Sequence, residues 1–259
     1  MPAFGAVNSE RVAAVCMILQ YTISEDKAQK ILTGKENFSA PLAPGKAGDY
    51  TGIVGHCPNN TKEVTIMPRI RMAEEKDAPA LLEIYRPYIA TTVTFEYEVP
   101  AAEEFARRVR HTLEHYPYLL CEENGRVLGY AYAHRARERA AYQWDAELSV
   151  YVSGEAHGRG IGRALYAALM ELVEAQGVRN FYGVITGENT RSIRFHEELG
   201  FTLAGVHHRT GYKNGRWLDV VDMERCLEGV DPPAPVRGMD VLTEQQREEV
   251  FCRYAKTIR

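Results

Sequence analysis

Residues 147–165 read ELSVYVSGEAHGRGIGRAL, and this stretch decides the fold. Its first part alternates apolar and polar residues, which predicts a strand with one face in the core. The apolar face carries Leu148, Val150 and Val152, and the other face carries Glu147, Ser149 and Tyr151. Glycines then crowd 158–162, and apolar residues recur at helical spacing up to Gly177, which suits a left-handed helix end. The sequence therefore predicts a strand, a glycine-rich turn and a helix in succession.

A strand, a turn and a helix in this order aim the free N–H groups of the helix start at one point, where they can bind an anion. Glycine permits positive φ and a close backbone approach there. The spacing of Gly158, Gly160 and Gly162 lacks the Lys and the Ser or Thr of a P-loop. It also does not suit a dinucleotide site, because the preceding elements are predicted to be antiparallel. Glycine spacing alone fits either an anion site or a tight turn with no ligand.

Outward from this stretch, Asn124-Gly125 and Asn214-Gly215 predict two hairpins, because these residues tolerate positive φ at both turn positions. Further strands fit 69–72 and 181–186, and helices fit 101–115 and 192–199. Asp77 can cap a helix that Pro87 is expected to interrupt. These elements predict an α/β fold of the α+β kind, with a mostly antiparallel twisted sheet flanked by helices.

Composition divides the chain into an N-terminal extension of residues 1–66, a central domain of 67–228 and a tail of 229–259. In the extension, 12–32 fits one or two short helices, and a stretch rich in Pro and Gly follows as a loop. In the tail, 243–255 fits a terminal helix. The extension is left without an assigned function.

The composition argues against several classes of partner. Of 259 residues, 45% are hydrophobic, and the formal net charge is -4, so no basic field favours nucleic acid or a membrane surface. The apolar run 12–19 is too short to span a bilayer. The five cysteines show no paired spacing of a zinc site or a disulfide framework, so no metal is expected and a reducing cytoplasm is predicted.

Two motifs resemble the GCN5-related N-acetyltransferase (GNAT) superfamily. His157, Gly160 and Gly162 follow its signature for the pyrophosphate of coenzyme A, except that His157 stands where Gln or Arg is usual. Downstream, Asn189 opens a helix as in the second motif of the superfamily, and His196 stands where a Tyr is common. Residues 144–147, 149–152, 196–200 and 211–220 resemble, more narrowly, the phosphinothricin and methionine-sulfone acetyltransferases, and the resemblance covers about 70–227.

This resemblance implies a GNAT fold in the central domain and acetyl-CoA as co-substrate. The positions that match the coenzyme-binding motifs are Val150, Tyr151, Val152, His157, Gly158, Arg159, Gly160, Ile161, Gly162, Arg163, Asn189 and Ser192. Backbone amides are expected to carry most of the binding, with the pantetheine arm beside 150–152 like an added strand. Related enzymes pair, which implies a homodimer.

Acetyl transfer to an amine needs a neutral amine, a polarised carbonyl and a proton for the departing thiolate. Family precedent implies direct attack in a ternary complex. Glu147 is the candidate base, since a modest base suffices for an α-amine. His196, in place of the usual Tyr, is the candidate either for protonating the thiolate or for assisting deprotonation through water. The alternatives are a solvated strand residue for Glu147 and a structural role for His196.

Arginines that precede Glu147 suit a free carboxylate, which Arg binds through two parallel hydrogen bonds. The positions that match substrate contacts of the family are Arg137, Arg139, Tyr142 and Phe95, the last as a pocket wall. A solvated loop and a core role for Phe95 are the alternatives. The combined prediction is an N-acetyltransferase of small amino acids such as phosphinothricin, methionine sulfone or methionine sulfoximine, acting in detoxification. Transfer to another amine (a polyamine, an antibiotic or a peptide N-terminus) and a non-catalytic acyl-CoA sensor stay open.

Overall fold

The computed structural model describes residues 67–229 and 232–259, and the expectations for 1–66 lie outside this part of the chain. The strands are β1 (Arg69–Met72), β2 (Tyr118–Glu123), β3 (Arg126–Arg135), β4 (Asp145–Val152), β5 (Asn180–Thr186), β6 (Thr202–Lys213) and β7 (Arg216–Cys226). The helices are α1 (Ala78–Ile89), α2 (Ala102–Leu113), α3 (Ile161–Gln176), α4 (Thr190–Glu198) and α5 (Glu244–Ala255). The strands form one sheet in the order β1-β2-β3-β4-β5-β7-β6.

Neighbouring strands of this sheet run antiparallel except for β4 and β5. Asn124 and Gly125 connect β2 to β3 with φ of 51° and 77°, and Asn214 and Gly215 connect β6 to β7 with φ of 52° and 76°. Positive φ at both central positions matches the twist of the flanking strands. The predicted α/β (α+β) class, the mostly antiparallel sheet and both hairpins are therefore confirmed.

The parallel pair β4–β5 is short and then opens. Residues 145–147 of β4 pair with 180–182 of β5, and the pairing goes no further. Beyond it, β4 stays paired with β3 as far as Val152, and β5 stays paired with β7 as far as Thr186. The two strands thus separate from Leu148 and Gly183 onward. We call the space between them the fork.

Each face of the sheet is covered by its own hydrophobic core. On one face, α3 buries Leu165 and Leu169 together with Leu148 of β4. On the other face, α1 and α2 bury residues such as Leu81, and Tyr151 of β4 packs against them. Because side chains alternate along a strand, β4 serves both cores. The core face with Leu148 was predicted, whereas the packing of Tyr151 into the second core was not.

The course of α1 differs from the expectation. The helix runs through Pro87 to Ile89, so the predicted interruption at Pro87 is wrong. Pro87 lies in the last turn, where its missing N–H removes one hydrogen bond and its fixed φ still suits a helix. Asp77 occupies the N-cap position without a side-chain cap bond. Its carboxylate instead accepts hydrogen bonds from Arg71, at 2.7 and 2.9 Å.

The tail packs onto the same core as α3. Thr243 begins α5 with a capping box, and Val250 and Phe251 of that helix are buried. Among the described cysteines, Cys121 is buried and Cys226 is exposed, and both are free. In residues 67–229 and 232–259, no helix is long and apolar enough to cross a membrane.

Candidate active site

One edge of β4 directs backbone groups into the fork. Along an antiparallel strand, residues bonded to the neighbour alternate with residues whose N–H and C=O point away from it. The Ser153 N–H donates to the Leu128 carbonyl at 2.8 Å, which sets this alternation. Leu148, Val150 and Val152 therefore direct their backbone groups away from β3. Val150 has no partner on β5 within the described sheet, so its N–H is available to a ligand.

The carbonyls of Leu148 and Val152, two residues before and after Val150, already have side-chain partners. The Tyr166 hydroxyl lies 3.3 Å from the Leu148 carbonyl, and the Tyr88 hydroxyl donates to the Val152 carbonyl at 2.6 Å. Tyr151 points the other way, and its ring packs edge-on against the ring of Tyr88 with centroids 5.3 Å apart. The open backbone of the fork is thus centred on Val150.

The glycine-rich turn has the geometry predicted for an anion site. Gly158 and Gly160 have φ of 83° and 87°, and Gly160 is the N-cap of α3. The first N–H groups of a helix have no acceptor within it, so they point outward from the start of α3. A Cβ built on Gly162 would lie 3.5 Å from Cγ2 of Val152, and Ile161 is buried. The helix start therefore lies beside the fork.

The charged side chains of this turn have protein partners. Arg159 donates to the two carboxylate oxygens of Glu123 at 3.0 and 2.7 Å and to the carbonyl of Arg259 at 2.8 Å. Arg163 forms an ion pair with Glu198 at 2.8 Å. Because Arg159 is held by these contacts, ligand binding at the turn falls mainly to its backbone.

His157, which stands where Gln or Arg is usual, lies at the mouth of the fork. Its Nε2 is 3.1 Å from the Val152 carbonyl and 3.3 Å from the Tyr88 hydroxyl. Its Nδ1 is 3.4 Å from Nη1 of Arg191. A carbonyl only accepts, so Nε2 carries the proton and Nδ1 accepts from Arg191. The ring also lines a groove of about 540 Å³ between α1 and the β2–β3 turn.

Helix α4 is capped by Asn189 and holds a buried histidine in its last turn. The Asn189 Oδ1 accepts from the Ser192 N–H at 3.1 Å. One turn further, His196 is 4% exposed, with Nδ1 at 2.8 Å from the Ser192 carbonyl and Nε2 at 2.8 Å from the Tyr166 hydroxyl. Nδ1 therefore carries the proton, and Nε2 accepts from Tyr166. Burial lowers the pKa of His196, opposed by the Ser192 carbonyl, so the neutral ring is favoured.

Tyr166 and His196 close the base of the fork on one face. Tyr166 contacts Leu148, where β4 leaves β5, and a Cβ built on Gly183 of β5 would lie 2.6 Å from Nε2 of His196. Burial, with a smaller effect of the Glu147 charge, raises the pKa of Tyr166 well above its ordinary value. Its hydroxyl therefore keeps its proton. Tyr166 is not predicted from the sequence, because a tyrosine in an apolar helical stripe gives no sign of a polar partner.

Glu147 lies at the same level of the sheet on the opposite face. Its carboxylate is 3.6 Å from Nε2 of His134, its partner in β3, and its side chain is 27% exposed. Its neighbour in register on β5 is Tyr182. The structure therefore brings Glu147 and His196 to the base of the fork from opposite faces, with Tyr166 rather than Glu147 as the hydrogen-bond partner of His196.

Arg137 lies between two aromatic rings on the face of Glu147. Its guanidinium carbon is 5.1 Å from the ring centroid of Tyr142 and 5.2 Å from that of Tyr182. Its Nη1 donates to Asp145 at 3.0 Å, and 52% of its side chain is exposed. The structure thus brings Arg137 and Tyr142 together and leaves Arg139 exposed. Tyr182 is missed from the sequence, because its place beside Arg137 depends on the pairing of distant strands.

Phe95 belongs to the 90–97 loop, which contacts strands β5 and β6. A Cβ built on Gly211 of β6 would lie 2.0 Å from Cε1 of Phe95, so the ring rests directly on that glycine. The Thr186 hydroxyl and the buried Lys213 ammonium each donate to a carbonyl of this loop at 2.5 Å. Phe95 therefore packs against β6, whereas Arg137 packs against Tyr182 of β5.

A forked sheet beside a glycine-capped helix start defines a class of protein that holds an extended chain with an anionic end. The open edge of β4 can pair with amides, and the helix start can hold phosphates. Both features fit an acyl-coenzyme A. Within the described ranges, no group of three His, Cys, Asp or Glu side chains is placed to hold a metal ion.

The chain belongs to the GNAT acetyltransferase family, since the model described as acetyltransferase (GNAT) domain matches residues 70–221. It is accordingly an acyltransferase. It is 40% identical over 169 residues to phosphinothricin N-acetyltransferase of Streptomyces viridochromogenes, covering 65% of this chain and 92% of the relative. It is 34% identical over 161 residues to L-methionine sulfoximine/L-methionine sulfone acetyltransferase of Salmonella typhimurium, covering 61% of this chain and 94% of the relative.

Solved structures agree with this assignment. The crystal structure of a GNAT superfamily phosphinothricin acetyltransferase from Sinorhizobium meliloti in complex with AcCoA matches with a TM-score of 0.62 and 39% identity. The match covers 66% of this chain and 95% of that one. The GNAT fold predicted from the sequence motifs is therefore confirmed.

Proposed function

We propose that this protein transfers the acetyl group of acetyl-CoA to the α-amine of a small amino acid of the phosphinothricin or methionine sulfoximine type. The observation that carries this proposal is that Glu147, Tyr182 and Arg137 lie side by side on one face of the sheet, next to the fork. Glu147 supplies a carboxylate for the substrate amine, and Arg137 supplies a guanidinium for the substrate carboxylate. The activities named for the two relatives support the substrate class.

Coenzyme binding is assigned chiefly to the backbone. The N–H groups at the start of α3 would hold the pyrophosphate, aided by positive φ at Gly158 and Gly160. The edge around Val150 would pair with the amides of the pantetheine arm, and the Val150 N–H would polarise the thioester carbonyl. The acetyl-CoA complex of the Sinorhizobium relative supports acetyl-CoA as the ligand.

Glu147 is proposed as the general base. An α-amine has a pKa near 8, so a carboxylate beside it only has to remove a weakly held proton. General-base catalysis of this kind contributes about 10²- to 10⁴-fold in rate. The partial exposure of Glu147 supports the role, since a proton taken from the amine can pass on to solvent.

Proton delivery to the departing thiolate is proposed to come from Tyr166, with His196 as the residue that orients it. The Tyr166 hydroxyl lies between Nε2 of His196 and the Leu148 carbonyl, at the base of the fork. As the carbon–sulfur bond breaks, the Tyr166 O–H would turn from Nε2 of His196 to the sulfur and give it the proton, and the tyrosinate would take a proton back from solvent once coenzyme A leaves the fork. His196 then acts on the thiolate through Tyr166, which differs from direct donation by His196.

A homodimer, a cytoplasmic location and a role in detoxification complete the proposal. The dimer is supported by β6, an edge strand of 12 residues in which the Leu203 and Val206 side chains are 61% and 40% exposed. Detoxification is supported by the phosphinothricin relatives. The cytoplasm is supported by the scattered cysteine spacing alone.

The experiment is a panel of acceptors with acetyl-CoA. The panel contains phosphinothricin, methionine sulfoximine, methionine sulfone, glutamate, spermidine and an alanine-initiated peptide, and thiol release and acetylated product are both measured. The first three acceptors are expected to give the highest kcat/KM. Turnover of spermidine or the peptide alone would reassign the acceptor, and tight acetyl-CoA binding without turnover would indicate a sensor.

A matched pair of variants tests the substrate contact. Arg137→Met is expected to raise KM for amino acids and to leave KM unchanged for the same amines without a carboxylate. Arg110→Met is the control, because Arg110 is similarly exposed and also forms one ion pair, with Glu75. An equal effect of Arg137→Met on both kinds of amine would contradict the assigned contact.

A further inference from the structure

The pair His134–Glu147 has a geometry that the transfer steps leave unexplained. His134 lies opposite Glu147 in the β3–β4 register, with its Nε2 3.6 Å from Oε1 of the carboxylate. Its Nδ1 is 3.1 Å from the carbonyl of Arg135. Both ring nitrogens of His134 therefore face oxygen atoms that only accept hydrogen bonds.

A neutral imidazole cannot satisfy both of these oxygens, because it carries one N–H. A proton on Nδ1 would leave the lone pair of Nε2 facing the Glu147 carboxylate. A proton on Nε2 would leave the lone pair of Nδ1 facing the Arg135 carbonyl. The doubly protonated ring presents an N–H to both, as a hydrogen bond to the Arg135 carbonyl and as an ion pair with the Glu147 carboxylate. Burial opposes that charge, but the Glu147 carboxylate and the Arg135 carbonyl hold the pKa of His134 above its ordinary value.

We infer that His134 is a positioning residue for Glu147, whose protonated ring orients the carboxylate toward the fork while the substrate amine binds. The inference rests on the proposed role of Glu147 as base. The two side chains are 42% and 27% exposed, so the ring can still exchange its proton with solvent. When His134 loses that proton, the carboxylate of Glu147 loses the charged partner that orients it.

The other ionisable groups around the pair do not change charge in the same range. On the same face of the sheet these are Tyr132 of β3, Tyr182 of β5 and Glu96 of the 90–97 loop, which acts on Tyr132, and on the other face they are Arg135 of β3 and Tyr166 of α3. Burial raises the pKa of all three tyrosines, that of Tyr132 to about 12. Glu96 and Arg135 add one charge of each sign. His134 is therefore the group whose charge changes within about pH 5–8, where an ordinary histidine titrates.

The first experiment needs no turnover, so it separates this inference from the proposed function. The pKa of His134 is measured from its ring proton resonances in the wild-type chain and in Glu147→Gln, with His134→Gln used for assignment. The pKa is expected to fall by about half to one unit in Glu147→Gln, given partial solvent screening. An unchanged pKa would overturn the pairing.

The second experiment is the dependence of kcat on pH with the best acceptor of the panel. In His134→Gln, kcat is expected to fall several-fold at pH values where the wild-type ring is charged and to approach the wild-type value above them, because the carboxylate has lost the ring that orients it. His134→Arg keeps a positive charge that does not titrate near neutrality. It is expected to restore kcat and to remove the inflection contributed by His134.

His111→Gln is the matched control, because His111 is an exposed histidine on α2 that pairs with Glu114 at 3.1 Å. Its pH profile should coincide with that of the wild type. A loss of kcat in His134→Gln that is equal at every pH would show a merely structural role and would overturn the inference. Absence of turnover in the wild type would instead contradict the proposed function, and the resonance titration would still decide the pairing.

Discussion

The two edges of β4 are held in different ways. On the β3 edge, the register is unbroken from Ala146 to Val152, so the backbone groups on that side are satisfied within the sheet. On the β5 edge, pairing ends at Glu147, and the groups beyond it meet side chains or face the fork. One strand can therefore be a core element and a binding surface at once, because its hydrogen-bonding directions alternate.

The side chains differ between the two edges as well. Beside the closed edge, the rings of Tyr118 and Tyr130 stack with centroids 5.7 Å apart, and burial raises the pKa of both well above its ordinary value. Beside the open edge lie Glu147, His196 and Tyr166, which can carry protons. Stability is therefore expected to depend mainly on the closed edge, and turnover mainly on the open one.

The largest effect is expected at the open edge. Glu147→Gln should lower kcat at pH 7 by about 10²- to 10⁴-fold, because it removes the general base. The free energy of unfolding should change by less than about 1 kcal/mol, since the side chain is partly exposed. Steady-state kinetics and urea unfolding measure the two. Glu224→Gln is the control, since Glu224 lies on the other side of Tyr182 in register, and a similar loss of kcat there would contradict the assignment.

At the closed edge, Tyr130→Ala should lower the free energy of unfolding by about 3–5 kcal/mol, as for other large aromatic truncations in a core. Tyr130 is 1% exposed. The Kd for acetyl-CoA of the protein that remains folded should not change. Tyr97→Ala, at a residue 69% exposed, serves as the control for urea unfolding. A change in Kd without a change in stability would mean that the two edges are not separate.

A smaller effect is expected from a pair of glycines in the same backbone conformation. Gly160 and Gly125 have φ of 87° and 77°, one at the start of α3 and one in the β2–β3 turn. A valine at either position should cost about 1–2 kcal/mol of stability, because of left-handed strain. Only Gly160→Val should also weaken acetyl-CoA binding, by about tenfold if it costs about 1.4 kcal/mol. Titration calorimetry checks this, and equal Kd values would exclude the turn from the coenzyme site.

The smallest expected effect is a pH-dependent loss of stability at the ion pair between Arg71 of β1 and Asp77. The Arg71 guanidinium, which donates to Asp77, lowers the pKa of that carboxyl group below its ordinary value. The stabilisation is therefore complete above the unfolded pKa of about 3.9 and is lost as the pH falls through the lower folded pKa. Asp77→Asn should cost about 1–2 kcal/mol at pH 7 and nothing at the acid end of that window. Urea unfolding at both pH values measures the difference, and a cost that persists in acid would contradict this origin.

Local features of the fold could be predicted because their causes are local. The Asn-Gly turns, the alternation of β4 and the left-handed Gly177 at φ 104° each follow from the conformation of a few residues. Pro87 was mispredicted because a proline in the last turn of a helix costs little, and the end of a helix depends on packing that the sequence does not display.

The candidate site could be predicted as a set of residues but not as an arrangement. The fork depends on where the pairing of two strands stops, which involves residues at least 30 positions apart. The same holds for Tyr166 with His196, for Arg137 with Tyr182 and for Arg159 with Glu123. Arg159 lies in a coenzyme-binding motif, yet its side chain forms an ion pair with Glu123 of the β2–β3 hairpin.

The alternation along β4 also predicts an uneven rate of deuterium uptake within a single strand. The amides of Ser149 and Tyr151 face β3 and should exchange slowly, whereas the amide of Val150 faces the fork and should exchange quickly. A bound acyl-coenzyme A that pairs with Val150 would slow that one amide and leave its neighbours as they are. The exchange rate of the Val150 amide is therefore a single-residue probe of ligand binding that needs no chemical modification of the protein.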